Sequence, residues 1–230
     1  MAFKLFDYQS SGKGVSKSAP QKKPFFKYWE IFGRKFWKLI ELNMLYVLFC
    51  IPIITFGPAT AALTHVMRKF ILEQPCFVFD EFFTAFKKNF KQSVFIGIVD
   101  VIMIVSVWIA CFQFLMNESL PDGSLVFIMH FYIYLEIVAL NLSIGSILKN
   151  AVFLVFLGVK RNFIALIINL AIISLIVLFL PFSVFAVIFL PLSLMCFTTT
   201  FICYPVIQKY IVNPYYEERG ERNPELGPIT

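Results

Sequence analysis

Five stretches of this chain run for eighteen residues or more with at most one Asp, Glu, Lys or Arg each: about Leu39–Phe56, Ser93–Met116, Leu125–Ser146, Phe163–Leu180 and Val184–Val206. Nothing else in the sequence limits the fold as strongly. A hydrocarbon layer of ~30 Å is crossed by ~20 apolar residues of helix. A helix satisfies all of its backbone hydrogen bonds within one segment, which lipid demands. The chain therefore reads as an all-α, polytopic helical membrane protein. Composition agrees, with 59% hydrophobic and 15% charged residues in 230, against about 45–50% and about 25% in soluble domains. No region is both long and polar enough for a separate soluble domain.

The chemistry-bearing motifs of enzymes are missing. There is no nucleophile elbow, phosphate loop or HExxH. His65 and His130 lack metal-ligand spacing. Cys50, Cys76, Cys111, Cys196 and Cys203 form no CxxC pair, and four of them lie in apolar runs, as small packing residues do. The expectation is a non-enzymatic protein with no cofactor, no metal and no nucleic-acid partner.

Basic residues set the expected orientation. Of 20 Lys and Arg, nine precede Leu39 and the rest fall at Arg68–Lys69, Lys87–Lys91, Lys149–Arg161 and from Lys209 onward. The loop Asn117–Gly123 and the turn Pro181–Ser183 carry none. The positive-inside rule puts every basic residue, and both termini, in the cytoplasm of a multi-pass cell-membrane protein. Because the residues before Leu39 and the stretch Arg68–Lys91 then share a side, the chain between them must turn back. Gly57 and Pro58 are the expected turn, with Leu39–Phe56 outgoing and Pro58–Gln74 returning, fully or as a re-entrant half-span. The count is about six membrane helices. Residues 1–35 read as a basic disordered arm, 36–212 as the membrane domain and 213–230 as a cytoplasmic tail.

An amphipathic helix is expected over Phe79–Phe90. Phe79, Phe82, Phe83, Phe86 and Phe90 recur at helical spacing. Asp80, Glu81, Thr84, Lys87, Lys88 and Lys91 fill the opposite arc. Such a helix lies in the inner leaflet with its lysines toward anionic headgroups; alternatively it docks on a cytoplasmic partner.

Two acids fall deep inside apolar runs, Asp100 and Glu136, where a charge is costly, while Glu41 lies near the start of the first run. Asn141 and Asn169 are expected at similar depth. The four form a candidate intramembrane polar cluster, acting as hydrogen-bond glue between helices or as a polar vestibule.

Three blocks, "KLFDYQS" at Lys4–Ser10, "LNMLYVLFCIPIITFGPATAAL" at Leu42–Leu63 and "FDEFFTAFKKNFKQS" at Phe79–Ser93, resemble in order and spacing the YesL-like family of bacterial integral membrane proteins, a domain of unknown function. This chain departs from that pattern by its insert Ser11–Lys23. The resemblance implies an accessory or regulatory role in carbohydrate uptake beside transporters of the ATP-binding-cassette type, with a sugar-transporter permease as partner. It supplies no catalytic or binding residue. The alternative function is a small transporter or channel that uses the polar cluster as its pathway.

Overall fold

The computed structural model describes residues 23–117, 124–140, 142–179, 182–220 and 223. These are helical nearly throughout, with no strand among them. The helices are α1 (Pro24–Cys50), α2 (Phe56–Ile71), α3 (Val78–Asn117), α4 (Ser124–Ala139), α5 (Ile144–Leu157), α6 (Val159–Leu178), α7 (Ser183–Phe189), α8 (Pro191–Ile207) and α9 (Asn213–Glu218). Residues 1–34 and 35–230 are separate compact units. Within the first, Phe25, Phe26, Tyr28, Trp29 and Phe32 form a chain of ring contacts along one helix, which starts inside the expected arm.

The second unit is organised around α2. This helix packs on α3, α4 and α8 and buries Ala59, Ala61, Ala62, Val66, Met67 and Phe70 completely. Small residues there let the neighbouring backbones come close.

The turn between α1 and α2 lies upstream of Gly57-Pro58, which corrects the expected hairpin. α1 stops at Cys50 and the chain reverses through residues 51–55, with Ile51, Ile53 and Ile54 exposed at the tip. Pro52 is the cause. It lacks an N–H and disfavours helical geometry in the residue before it. Thr55 then donates its hydroxyl to Phe49 O (2.5 Å) and Pro52 O (2.7 Å), closing the turn. Pro58 sits in the first turn of α2, where a missing N–H costs nothing. Gly57 is buried there against α3: a Cβ on it would stand 1.9 Å from Ser93 O and 2.9 Å from Gly97 Cα. Its role is a backbone-to-backbone crossing rather than a turn.

The amphipathic Phe79–Phe90 segment is the first third of α3, which continues without a break to Asn117. No Gly or Pro intervenes before Gly97, so nothing stops the helix where its pattern changes. The Phe49 ring of α1 packs on Phe82, Phe83 and Phe86 at 5.1–5.6 Å between centroids. Phe82 is fully buried, while Phe79 and Phe90 remain exposed. The stripe thus clasps the α1 end of the hairpin.

Three further breaks shape the second half of the chain, two of them inside expected spans and one between them. The run Leu125–Ser146 splits into α4 and α5, which pack on each other across residues 140–143. Ser143 caps α5, its hydroxyl accepting from Ser146 N. Gly158 separates α5 from α6; a Cβ there would lie 2.3 Å from the Tyr132 hydroxyl. Pro191 divides the last expected run, beginning a new helix, α8, after Leu190.

Each of two breaks is stitched by an asparagine. Asn43 of α1, fully buried, donates to Val187 O (2.9 Å) and Ile188 O (2.8 Å) and accepts from Ser193 N (2.7 Å) across the Pro191 break. Asn162 of α6 donates to Val155 O (2.9 Å) across the Gly158 break and accepts from Tyr132 Oη. Backbone groups released by a broken helix are expensive in an apolar interior unless a side chain takes them up.

Candidate functional site

A cavity of about 200 Å³ opens among α1, α2, α4, α6 and α8. Its polar wall comes from Tyr46, Thr60, Thr64, Tyr134, Asn169, Thr199 and Thr200, and its apolar wall from Leu63, Leu135, Leu192 and Met195, with Cys196 between. Five helices supply these groups because each has a hydroxyl or amide on its inward face, one or two turns from a small residue or a break.

Hydrogen bonding decides which atoms stay available. Thr60 spends its one proton on Phe56 O (2.8 Å). Tyr46 must therefore be the donor in its 3.2 Å contact with Thr60 Oγ1. Thr64 spends its proton on Thr60 O (2.8 Å). Tyr134 donates to Asp100 Oδ2 (2.5 Å). Asn169, 2% exposed, donates to Thr199 Oγ1 (2.8 Å), and its Oδ1 has no hydrogen-bond partner. Tyr46, Thr60, Thr64 and Tyr134 thus commit their hydroxyl protons to protein acceptors. Asn169 Oδ1, in a residue of this wall, is buried without a hydrogen-bond partner, an orphan whose desolvation is uncompensated. A wall of hydroxyl and amide groups suits a solute that carries hydroxyls of its own.

The expected polar cluster is divided by this geometry. Asn169 lines the cavity, and Asp100, 2% exposed, stands behind it through Tyr134. Glu136 follows Tyr134 by two positions, about 200° around the helix, and is absent from the cavity wall. Its carboxylate is fully buried without a hydrogen bond of normal geometry, with Asn150 of α5 close enough to influence it. Asn141 lies outside the described residues. Tyr46, Thr60, Thr64 and Tyr134 were not singled out by sequence reasoning. Only their recurrence on otherwise apolar segments hints at them.

At one end of α2 a second set of charges ties it to α3. Lys69 Nζ meets Glu81 Oε1 at 2.5 Å, and His65 Nε2 lies 3.3 Å from Glu81 Oε2. The Lys69 bond, helped by His65, holds the Glu81 carboxyl below its ordinary range despite partial desolvation. Arg68 donates from Nε to Tyr204 Oη (2.6 Å), joining α2 to α8 nearby.

With that geometry in view, comparison with known sequences is informative in one place. The model of a family described as "Protein of unknown function, DUF624" matches residues 39–111. Over that stretch the chain is similar to this family. No curated protein and no solved structure matches the chain. The matched stretch carries α2 entire, with Asn43, Tyr46, Gly57, Thr60, Thr64, Gly97 and Asp100. It thus holds one side of the cavity, the stitch at the Pro191 break and both glycines of the α2–α3 crossing.

Proposed function

We propose that this chain is a non-enzymatic, multi-pass membrane protein that holds a small neutral polyhydroxylated solute in the α1/α2/α4/α6/α8 cavity and serves as an accessory or regulatory component of carbohydrate uptake. The observation that carries the reading is a cavity wall of hydroxyl-bearing and amide side chains that includes Asn169, whose buried Oδ1 has no hydrogen-bond partner. A sugar brings several hydroxyl donors on a compact frame, and an unsatisfied buried acceptor discriminates strongly for a ligand that can pair it. The link to carbohydrate uptake, and to a permease of the ATP-binding-cassette type, rests on the YesL-like resemblance of residues 4–93.

The membrane setting is supported by two helices long and apolar enough to cross a bilayer, Val159–Leu178 and Pro191–Glu218. Only 17% of the apolar window of α6 is buried, and Phe163, Ile164, Ile167 and Leu170 face outward. A contiguous apolar face of that kind is untenable in water and ordinary in lipid. In the full reading about six helices cross or enter the membrane, with both termini cytoplasmic.

Purification of the tagged full-length protein in mild detergent tests the accessory role. A sugar-transporter permease is expected to co-purify; a protein recovered without one contradicts the partnership. Asp100→Asn separates this reading from an ion-coupled transporter. The amide still accepts from Tyr134, so uptake in cells lacking the native copy should persist. A folded Asp100→Asn protein that abolishes uptake would put the transporter first.

A further inference from the structure

A second cavity, of about 410 Å³, lies where α5, α6 and the end of α8 meet. Its rim carries Lys160, Arg161 and Lys209, and no acid lines it. Two backbone irregularities make it. Gly158 interrupts α5 and α6, and Pro205, followed by a π-helical turn at Gln208–Val212, widens α8 opposite. Gly158 and Val206 are buried on its floor, while the three cations are exposed at its mouth.

The cations are arranged rather than scattered. Arg161 Nη1 reaches Ile202 O (3.4 Å) across the α6–α8 interface, and Lys209 Nζ sits 5.0 Å above the Tyr210 ring. Among the described residues none of the three pairs with a carboxylate. Their depth is set by the chain. Lys160 and Arg161 immediately precede the uncharged length of α6, and Lys209 closes the uncharged length of α8, which runs antiparallel to it. In a helix of this kind, that is the level of the lipid headgroups.

We infer that this cleft binds an anionic phosphate, and that its source is the headgroup of an anionic membrane lipid. An Arg and two Lys around a concave mouth suit the oxygens of a phosphate, and basic pockets between spanning helices at this level recognise lipid headgroups. Below the cleft, the outward face of α6, from Phe163 to Leu170, supplies a track for acyl chains that a free phosphate would not use. The inference rests on α6 and α8 crossing a bilayer and not on the sugar cavity.

The test uses full-length protein, delipidated in detergent and incubated with equimolar phosphatidylglycerol and phosphatidylcholine, with retained lipids counted by native mass spectrometry. Phosphatidylglycerol should be retained in preference. Lys160→Gln/Arg161→Gln/Lys209→Gln should lose on the order of a hundredfold of that retention, since each of the three basic residues is worth about fivefold near an anionic surface. Lys13→Gln/Lys17→Gln/Lys22→Gln removes as many charges from the amino-terminal segment and should change it little. Equal losses in the two triple variants would mean unspecific charge attraction and overturn the site. Displacement of the lipid by millimolar inorganic phosphate would overturn the lipid as the source. A carbonate wash of membranes separates the premises: protein that stays in the pellet yet shows no lipid preference refutes the cleft alone, whereas protein that washes off refutes the membrane reading as well.

Discussion

Asn43 is the residue on which the fold depends most unexpectedly. On the sequence it is one polar residue near the start of an apolar run. In the structure its amide serves three backbone groups, the farthest 150 positions along the chain. Asn43→Leu keeps the branched shape and orphans Ser193 N and two carbonyls, so a loss of about 3 kcal/mol is expected from unpaired buried groups. Asn43→Asp keeps the acceptor for Ser193 but sets a carboxylate against two carbonyls, and should recover little. Melting curves of both variants in detergent check this. Gly57 carries a similar long-range constraint. Gly57→Ala pushes a methyl into the Ser93 carbonyl and should cost at least the ~1–3 kcal/mol typical of overpacking. Gly145→Ala, with nothing within 4 Å of its Cβ, should leave the melting temperature nearly unchanged. A tolerated Gly57→Ala would mean that α2 and α3 do not cross there.

At the scale of elements, the helical character and the Phe79–Phe90 stripe were legible because period and apolarity are local properties. The ends of the elements were less so. Pro52 and Gly57-Pro58 compete as the turn between α1 and α2, and the choice depends on Ser93 and Gly97, far away in sequence. Leu125–Ser146 reads as one span because hydropathy is blind to the break that Ser143 caps. Asp100 and Asn169 stand out as polar residues in apolar runs, but Tyr46, Thr60 and Thr64 are ordinary interhelical residues until five helices bring them together. The α2–α3 junction has its own titration. Lys69 lowers the Glu81 carboxyl, so that bond stabilises the fold above the ordinary glutamate range near 4.5 and is lost as pH falls through the lowered value. The wild type should therefore lose stability on acidification below about pH 4.5. Glu81→Gln should be less stable at neutral pH and show a shallower acid limb. Parallel acid limbs in the two proteins would remove Glu81 from the junction.

At the scale of the whole molecule, the proposed lipid-facing exterior surrounds a polar chamber. Orientation is checked by single cysteines placed in a cysteine-free background. A cysteine at position 120 should react with an impermeant maleimide in intact cells and one at position 88 should not. The reverse pattern would invert the bundle and dismiss the six-helix topology. The chamber is tested most directly by calorimetric titration of the purified full-length protein with a panel of neutral monosaccharides, beside Asn169→Leu. Saturable binding of at least one sugar is expected. The variant, with its melting temperature retained, should bind it about tenfold more weakly, the equivalent of one lost hydrogen bond of ~1.4 kcal/mol. Absence of binding across the panel, or equal binding by Asn169→Leu, would contradict the assignment of the cavity as a sugar site.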